Sequence, residues 1–423
     1  MRRIGTLVAL AALFAAAVIA CDHVSEGDDT NGSDASIDDT DTTPPPLPID
    51  ALDIVFVVDD SISMMQEQAI LATSVFHLVS NLTTPRIDWP YPAVDDVRFA
   101  VVTTNMGFSA LGVSGDAFWP GTMPDECSGL GDNGAFQPMQ AQNVPIQDGV
   151  IPCWGAPGQC PPGWTCAAEG ASEDAFCQNP SPGGSVTCPE LDDVFTATTA
   201  DSPNGALALE LACLAEVGTD GCGFEQQLSS AVAATQRGDQ AWFFREHAGL
   251  GVVVASDEDD CSMEDNAGLF ATDEIAQQEL QKVNMACGLH PEFLRDPASF
   301  RAQLAAVKGG HQEAVFFAAI VGTPVTPECQ GLGSTIGDCL EQNEMQFVEE
   351  QPNAPMDLTW FFHPACTRSI GDEEVTRAYP GRRYVELAQS MGDSSFVYSI
   401  CNDDWMPAME SFAAILAAAA ESY

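Results

Sequence analysis

The sequence predicts an α/β fold in which helices cover both faces of a mostly parallel central sheet, a doubly wound arrangement. Three observations predict it. Short apolar runs rich in β-branched residues recur along the chain, as in strands that are buried on both faces. Helical periodicity separates most of these runs, which is typical of parallel strands. Acidic residues directly follow two of the runs, at the carboxyl ends of strands, where such sheets bind ligands.

The first strand is predicted at residues 54–58, an unbroken IVFVV run. A helix over 64–82 follows, because apolar residues recur there mostly every three or four positions. The second and third strands are predicted at 97–104 and 194–199, and a helix from 201 to about 216 comes next. These elements form the first half of the strand–helix alternation.

The second half of the chain continues this alternation. The predicted elements are a helix at 224–236, a strand at 250–255, helices at 274–285 and 297–307, a strand at 314–321, a helix at 384–390, a strand at 395–400 and a final helix. In the final helix, apolar residues spaced by four, three, four and three predict a core-facing stripe. They are Trp405, Met409, Phe412, Leu416 and Ala419.

Two insertions interrupt this pattern. Residues 106–191 are rich in Gly, Pro and Cys, which predicts a disulfide-rich insertion after the second strand whose pairing the sequence leaves open. Its six cysteines are Cys127, Cys153, Cys160, Cys166, Cys177 and Cys188. A second loop insertion covers 323–366. Between the two insertions, Cys213 and Cys222 flank a loop and can pair across it.

The N-terminus has the features of an export signal. Two arginines precede an apolar stretch, so residues 1–20 are predicted to be a signal peptide. Cys21 directly after it resembles the lipobox cysteine of bacterial lipoproteins, which implies lipidation of its thiol; an ordinary signal peptide with a nearby cysteine is the alternative. Residues 21–50 are acidic and end in a proline-rich run, which predicts a disordered tether. The folded domain is then 51–423.

Charge and cysteine content narrow the compartment and the partners. The chain has 62 acidic and 14 basic residues, a formal net charge of −48, which argues against nucleic acid as a partner. With Cys21 set aside, the other fourteen of the fifteen cysteines allow as many as seven disulfides in an exported chain. Zinc is disfavoured because the six histidines are scattered and no pair of Cys-x-x-Cys motifs occurs. We therefore expect a membrane-anchored lipoprotein of the bacterial cell envelope, facing the periplasm or the cell surface.

The strongest chemical signal is the oxygen-rich segment that follows the first strand. Asp59, Ser61 and Ser63 stand at alternate positions, so their side chains can converge on one point where the chain leaves the sheet. One carboxylate and two hydroxyls, without sulfur or imidazole, suit a hard divalent cation such as Mg²⁺, Mn²⁺ or Ca²⁺. Helix capping is the alternative for the serines, because Ser63 and Gln66 match a capping box.

This Asp-x-Ser-x-Ser segment resembles the metal-ion-dependent adhesion site of von Willebrand factor type A (vWA) domains, whose fold is Rossmann-like. The resemblance implies two further metal ligands, a threonine in a loop before a later helix and an aspartate after the fourth strand. Thr219 and Asp257 match those positions, and the resemblance extends over residues 51–423 apart from the insertions. It implies a cation whose open position binds a carboxylate of a protein partner.

Two other classes of function stay open. A metal-dependent phosphohydrolase of the haloacid-dehalogenase type requires an aspartate where this chain has Ser61. The chain also has no Gly-x-Ser-x-Gly elbow and no histidine placed as a general base, so we predict that it is not an enzyme. A structural envelope protein that leaves the site unused is the other alternative. The nearby acids Asp60, Glu258, Asp259 and Asp260 are interpreted as solvated residues on the same rim.

Overall fold

A seven-stranded sheet forms the centre of the structure, which is a computed structural model. The described residues are 47–86, 88–107, 129–146, 151, 153, 160–167, 175–180, 185–191, 193–198, 204–264, 285–350 and 361–421. Pro46–Tyr423 form one compact unit. The predicted signal peptide, Cys21 and nearly all of the predicted tether lie outside the described residues, as does nearly all of the helix predicted at 274–285.

The described strands and helices are as follows. The strands are β1 Ala51–Val58, β2 Val97–Thr103, β3 Asn143–Val144, β4 Thr165–Ala167, β5 Phe176–Gln178, β6 Val186–Thr187, β7 Phe195–Ala197, β8 Ala248–Ser256, β9 Val315–Val321, β10 Gly331–Leu332, β11 Glu349–Glu350, β12 Phe361–Phe362, β13 Cys366–Ile370, β14 Glu373–Ala378 and β15 Ser395–Ser399. The α-helices are α1 Met65–Thr83, α2 Asn204–Ala215, α3 Gln227–Gln236, α4 Ala286–Leu289, α5 Ala298–Leu304, α6 Arg382–Met391 and α7 Met406–Glu421.

The strand order across the central sheet is β10-β15-β9-β8-β1-β2-β7. The inner strands β15, β9, β8, β1 and β2 pair in parallel. The two edge strands, β10 and β7, pair antiparallel with their neighbours. The predicted α/β class is therefore confirmed, and the sheet is mixed, with parallel pairing in its middle and antiparallel pairing at both edges.

The side chains of β1 alternate between two hydrophobic cores. Ile54 and Phe56 belong to a cluster that also contains apolar residues of α1, α2 and α7. Val55 and Val57 belong to a second cluster, with apolar residues of α3, α5 and α6. Successive residues of a strand point to opposite faces of its sheet, so β1 is covered on both faces. This explains why its sequence is apolar at every position from 54 to 58.

Helix α1 is more buried than its sequence pattern predicts. An amphipathic helix keeps one polar face in solvent, yet Glu67, Gln68 and Asn81 are buried together with the apolar residues of α1. The cause is that α2 and α7 both pack against α1, while the sheet lies beneath it. The polar side chains of α1 must therefore find partners within the protein.

Three disulfides between described cysteines tie the first insertion together and to the rest of the chain. They are Cys153–Cys166, Cys160–Cys177 and Cys188–Cys213. The suggested pairing of Cys213 with Cys222 is wrong, because Cys213 bonds Cys188 at the far end of the insertion; Cys222 is disulfide-bonded as well. Buried residues of the insertion, such as Val144, join the same hydrophobic cluster as α1, so its described part packs on the main core.

The second insertion adds an edge strand, and a hairpin follows it in the chain. Strand β10 extends the central sheet, and β13 and β14 form an antiparallel hairpin. The disulfides Cys329–Cys339 and Cys366–Cys401 fix this region, and Cys261–Cys287 links the chain after β8 to α4. Among the described residues, no helix combines the length and the apolar composition that a membrane span requires.

Candidate metal centre

Asp59 lies at the carboxyl end of β1, where three hydrogen bonds fix it. Its backbone N–H donates to the carbonyl of Ala255 at 3.0 Å, which extends the pairing of β1 with β8 by one residue. Its carboxylate accepts from the Ser61 backbone N–H at 2.8 Å and from the Ser256 hydroxyl at 2.7 Å. Since Asp59 is fully buried, these bonds replace the water that its carboxylate loses on folding.

The two serines of the motif face the next strand and do not cap the helix. The hydroxyls of Ser61 and Ser63 are 2.9 Å apart, and the Ser63 hydroxyl donates to Asp257 at 3.2 Å. A 3₁₀ turn, Ile62–Met64, precedes α1, and neither Ser61 nor Met64, the residues at the two N-cap positions, makes a side-chain capping bond. The capping alternative for these serines is therefore not what the structure contains.

Asp257 reaches the motif because β8 is the neighbour of β1 and ends at the same edge of the sheet. Its carbonyl accepts the backbone N–H of Tyr379 at 2.8 Å, which holds the loop after β8 in place. Burial raises the pKa of Asp257 well above its usual range, and the charges of Asp59 and Glu258 raise it further. A carboxyl group in this environment favours either a proton or a nearby cation.

Thr219 lies in the loop between α2 and α3, and part of that loop reaches the motif. Gln68 donates from one amide nitrogen to the carbonyl of Asp59 at 2.9 Å and to that of Gly218 at 2.7 Å. Gly218 has a φ of +89°, which suits glycine at this turn. Thr219 itself is partly exposed and forms no hydrogen bond with any described residue, so its role as a ligand stays a prediction.

Glu225 is the residue at this centre that the sequence did not reveal. It lies just before α3, is 1% exposed, and its Oε2 accepts the hydroxyl of Thr104 at 2.9 Å. Gln227 donates to Glu225 at 3.4 Å and to the Ser256 hydroxyl at 2.9 Å, which links Glu225 to Asp59 through Ser256. The Oε1 atom of Glu225 has no hydrogen-bond partner. Burial, and then the charge of Asp59, raise its pKa well above the usual range. An acid near the start of a predicted helix is ordinary, so the sequence carried no signal that singled it out.

The neighbouring acids are less solvated than their sequence suggests. Asp60 is buried, and burial together with the charges of Asp59 and Asp132 raises its pKa to about 7. Asp260 is also buried, and its carboxylate accepts from Arg383 at 3.0 Å and from the backbone N–H of Leu228 at 2.9 Å. The interpretation of these two residues as solvated is wrong, because adjoining loops and α3 cover them.

Glu258 and Asp259 are partly buried on the outer side of Asp257. Burial, and then the charge of Asp59, raise the pKa of Glu258 to about 8. Both residues line a cavity of about 40 Å³, together with apolar and aromatic side chains that include Phe347 and Phe362. The acids beside the centre therefore lie in a partly apolar wall, which increases the effect of each charge on the others.

The donor set suits a hard cation. The side-chain atoms at the centre that could bind a metal are carboxylate and hydroxyl oxygens, the ligands that Mg²⁺ and Ca²⁺ prefer. Six described arginines and Lys308 form ion pairs with acids, and none of these pairs includes Asp59, Glu225 or Asp257. Buried carboxylates ordinarily have a charged partner, so the residues present fit a bound divalent ion.

A second group of potential ligand atoms does not form a metal site. Cys153, Cys160 and Cys166 place their sulfur atoms within 4.8 Å of one another. All three are in disulfides, and a disulfide sulfur is not the thiolate that binds metals. No three described carboxylates approach one another as closely, so the candidate centre depends on its serine hydroxyls as well as on its acids.

No family model matches this chain, and neither the curated proteins nor the solved structures include a match to it.

Proposed function

We propose that this chain is a lipid-anchored, extracytoplasmic protein that binds a protein partner through a divalent cation, Mg²⁺, Mn²⁺ or Ca²⁺. The observation that carries the proposal is the chain of oxygen atoms from Ser61 through Ser63 to Asp257, with spacings of 2.9 and 3.2 Å. These hydroxyls are directed at an aspartate on a neighbouring strand, although a helix begins beside them. That arrangement favours a shared ligand over a local structural role.

The strand order supports a doubly wound, vWA-like fold as the finer description of this domain. β1 lies between β2 and β8, and the carboxyl ends of β1 and β8 carry Asp59 and Asp257. Ligands in open α/β sheets bind at this edge. The two hydrophobic clusters, one for each set of alternating β1 side chains, fit helices on both faces of the sheet.

The proposed roles at the centre follow from burial. Asp59, Ser61 and Asp257 are buried and would hold the ion from the protein side, with Thr219 as the further ligand that the resemblance implies. Ser63 is exposed, so the centre is open to solvent on that side. When bound, a divalent cation would supply a coordination position for an oxygen of the partner, a carboxylate if the resemblance to vWA domains extends to the ligand.

Two exposed apolar side chains lie close to the motif serines in the sequence. Ile62 is 81% exposed and Met65 is 63% exposed, and both lie within three residues of Ser61 or Ser63. Large apolar residues beside a charged site are typical of surfaces that bind other proteins. They support a protein partner over a small ligand and agree with a function that is not enzymatic.

The proposed location follows from the N-terminal sequence. Lipidation of Cys21 would anchor the chain in a membrane of the bacterial cell envelope, facing the periplasm or the cell surface. The tether at 21–50 would allow the domain to extend about 100 Å from the lipid when it is fully stretched. An extended, acidic tether would keep the cation site clear of the membrane surface, where it can meet a partner.

Binding to envelope or host-surface extracts tests this function. We expect capture of a protein with Mg²⁺ present, and loss of that capture with EDTA or with the variant Asp59→Ala. Capture that is unchanged in both conditions would instead indicate a structural protein that leaves the site unused. Metal-dependent turnover of a generic phosphoester would indicate a hydrolase.

A further inference from the structure

We propose that Glu225 is a direct ligand of the cation, beside Asp59, in the role that the resemblance assigns to Thr219. This inference rests on the proposed function, because it names a further residue of the same cation site. It differs from the sequence-based ligand set in one respect: a buried carboxylate replaces a neutral hydroxyl.

The unpartnered oxygen of Glu225 is the main evidence. Glu225 is 1% exposed, and one of its carboxylate oxygens accepts hydrogen bonds from Thr104 at 2.9 Å and Gln227 at 3.4 Å. The other, Oε1, has no hydrogen-bond partner. A buried acceptor without a partner is destabilising, so this oxygen is expected to have a ligand in the functional protein.

The backbone around Glu225 fixes its position. Its carbonyl accepts the N–H of Cys261 at 2.9 Å, and the disulfide Cys261–Cys287 anchors that segment. Glu225 also forms an antiparallel bridge with Asn105, just after β2. Connections from two sides therefore hold the main chain at Glu225 in place.

Electrostatics explain why a cation belongs between these two acids. The buried carboxyl groups of Asp59 and Glu225 are linked through Gln227 and Ser256, and two negative charges this close repel strongly in a buried setting. Either a proton or a cation must separate them. Two ionised carboxylates on the ion balance the charge of a divalent cation. Such a site should therefore hold its ion even when no partner is bound.

Mn²⁺ titrations of the full-length protein, followed by electron paramagnetic resonance, test this assignment. We expect Glu225→Gln to weaken Mn²⁺ binding by at least about 10-fold, the size of effect seen when supporting residues of a metal site are removed. Thr219→Val should change the affinity by less than about 2-fold if Glu225 fills this role. Glu216→Gln is a matched control, since burial alone raises the pKa of that glutamate, to about 7, and no residue of the centre contributes.

The outcomes separate this inference from the proposed function. If the wild-type protein binds Mn²⁺ and Asp59→Asn abolishes binding, but Glu225→Gln binds as tightly as wild type, the function stands and the Glu225 assignment is wrong. If the wild-type protein does not bind Mn²⁺, both are wrong. Glu225→Asp keeps the charge but shortens the side chain. If Glu225→Asp and Glu225→Gln weaken Mn²⁺ binding equally, and the circular dichroism spectra are unchanged, the result would support a direct ligand that requires the full length of the glutamate side chain.

Discussion

Glu67 and Arg368 form a buried ion pair, with 3.5 Å between Arg368 Nη2 and Glu67 Oε1, although 301 residues separate them in sequence. Glu67 belongs to the first turn of α1, just after the Asp-x-Ser-x-Ser motif, and Arg368 belongs to the β13–β14 hairpin. Thr376 of the same hairpin also donates to Glu67. The hairpin is thus bound to the helix that follows the Asp-x-Ser-x-Ser motif.

Removing the arginine of this pair should destabilise the protein. Arg368→Met leaves Glu67 buried without its cation, and breaking a buried pair in this way costs about 3–5 kcal/mol. We expect a loss in the free energy of unfolding near the lower end of that range, because Thr376 still donates to Glu67. Urea denaturation followed by circular dichroism measures it.

The same hairpin provides a control for this substitution. Arg377 pairs with Glu374 at 2.8 Å, but both side chains are at least 40% exposed. Exposed pairs contribute about 0–1 kcal/mol, so Arg377→Met should have a small effect. Equal losses in Arg368→Met and Arg377→Met would contradict the importance of the Glu67 contact.

Substitution of Lys308 should also cause a large loss in the free energy of unfolding. Its ammonium group is fully buried, donates to Asp53 at 2.8 Å and to the carbonyl of Arg245 at 2.6 Å, and so ties β1 to the chain on both sides of β8. Lys308→Met leaves Asp53 paired only with Arg245, and we expect a loss of about 3 kcal/mol in the free energy of unfolding. In the double variant Asp53→Asn with Lys308→Met the two losses should be less than additive, because each single variant already removes the same contact. An additive result in the double-mutant cycle would contradict direct coupling.

Ser63 should matter for cation binding and not for folding. It is exposed, so Ser63→Ala should change the free energy of unfolding without cation by less than about 0.5 kcal/mol. Its hydroxyl joins Ser61 to Asp257, so the variant should show a smaller rise in melting temperature on addition of Mg²⁺. For the wild type, Mg²⁺ at 100 times its dissociation constant should stabilise the fold by about 2.7 kcal/mol.

Ser411 provides the control for that experiment. It is a partly exposed serine of α7 that donates only to the carbonyl of Pro407 in its own helix. Ser411→Ala should therefore keep the full Mg²⁺-dependent shift in melting temperature. A wild-type melting temperature that is the same in Mg²⁺ and in EDTA would contradict the site itself.

Without cation, the stability of the fold should fall as pH rises towards neutrality. The pKa of Asp60 is about 7 in the folded state and 3.8 in the unfolded chain, so between these values the folded state binds a proton that the unfolded state has lost. The stability from this group is complete below pH 3.8 and is lost as pH rises through 7. We expect the free energy of unfolding in EDTA to fall by about 2–4 kcal/mol between pH 5 and pH 8.

Two further measurements test the origin of that pH dependence. Asp60→Asn removes the titrating group and should flatten the profile in EDTA. Mg²⁺ should stabilise the wild-type protein more at pH 8 than at pH 5, because the cation competes with protons for the same group of acids. A profile in Asp60→Asn as steep as in wild type would assign the pH dependence to other groups.

The sequence predicted β1, β8 and β9 close to their observed bounds because their apolar runs carry a strong local signal. The stripe that includes Trp405 and Phe412 is buried as expected, since its spacing matches one face of a helix. The disulfide partner of Cys213 could not be predicted from a local sequence pattern. Pairing depends on which loops meet in space, and Cys188 is farther from Cys213 in sequence than Cys222 is.

At the candidate metal centre, the local sequence pattern was enough to predict that Asp59, Ser61 and Ser63 lie at the end of a buried strand. Alternation of side chains and the abrupt end of an apolar run are local properties that one segment contains completely. Only the tertiary structure brought Glu225 against Asp59, buried Asp60 and directed Ser63 to Asp257 instead of a helix cap. Those outcomes depend on β8 pairing beside β1 and on the loop before α3 folding over both, and no single segment encodes such long-range contacts.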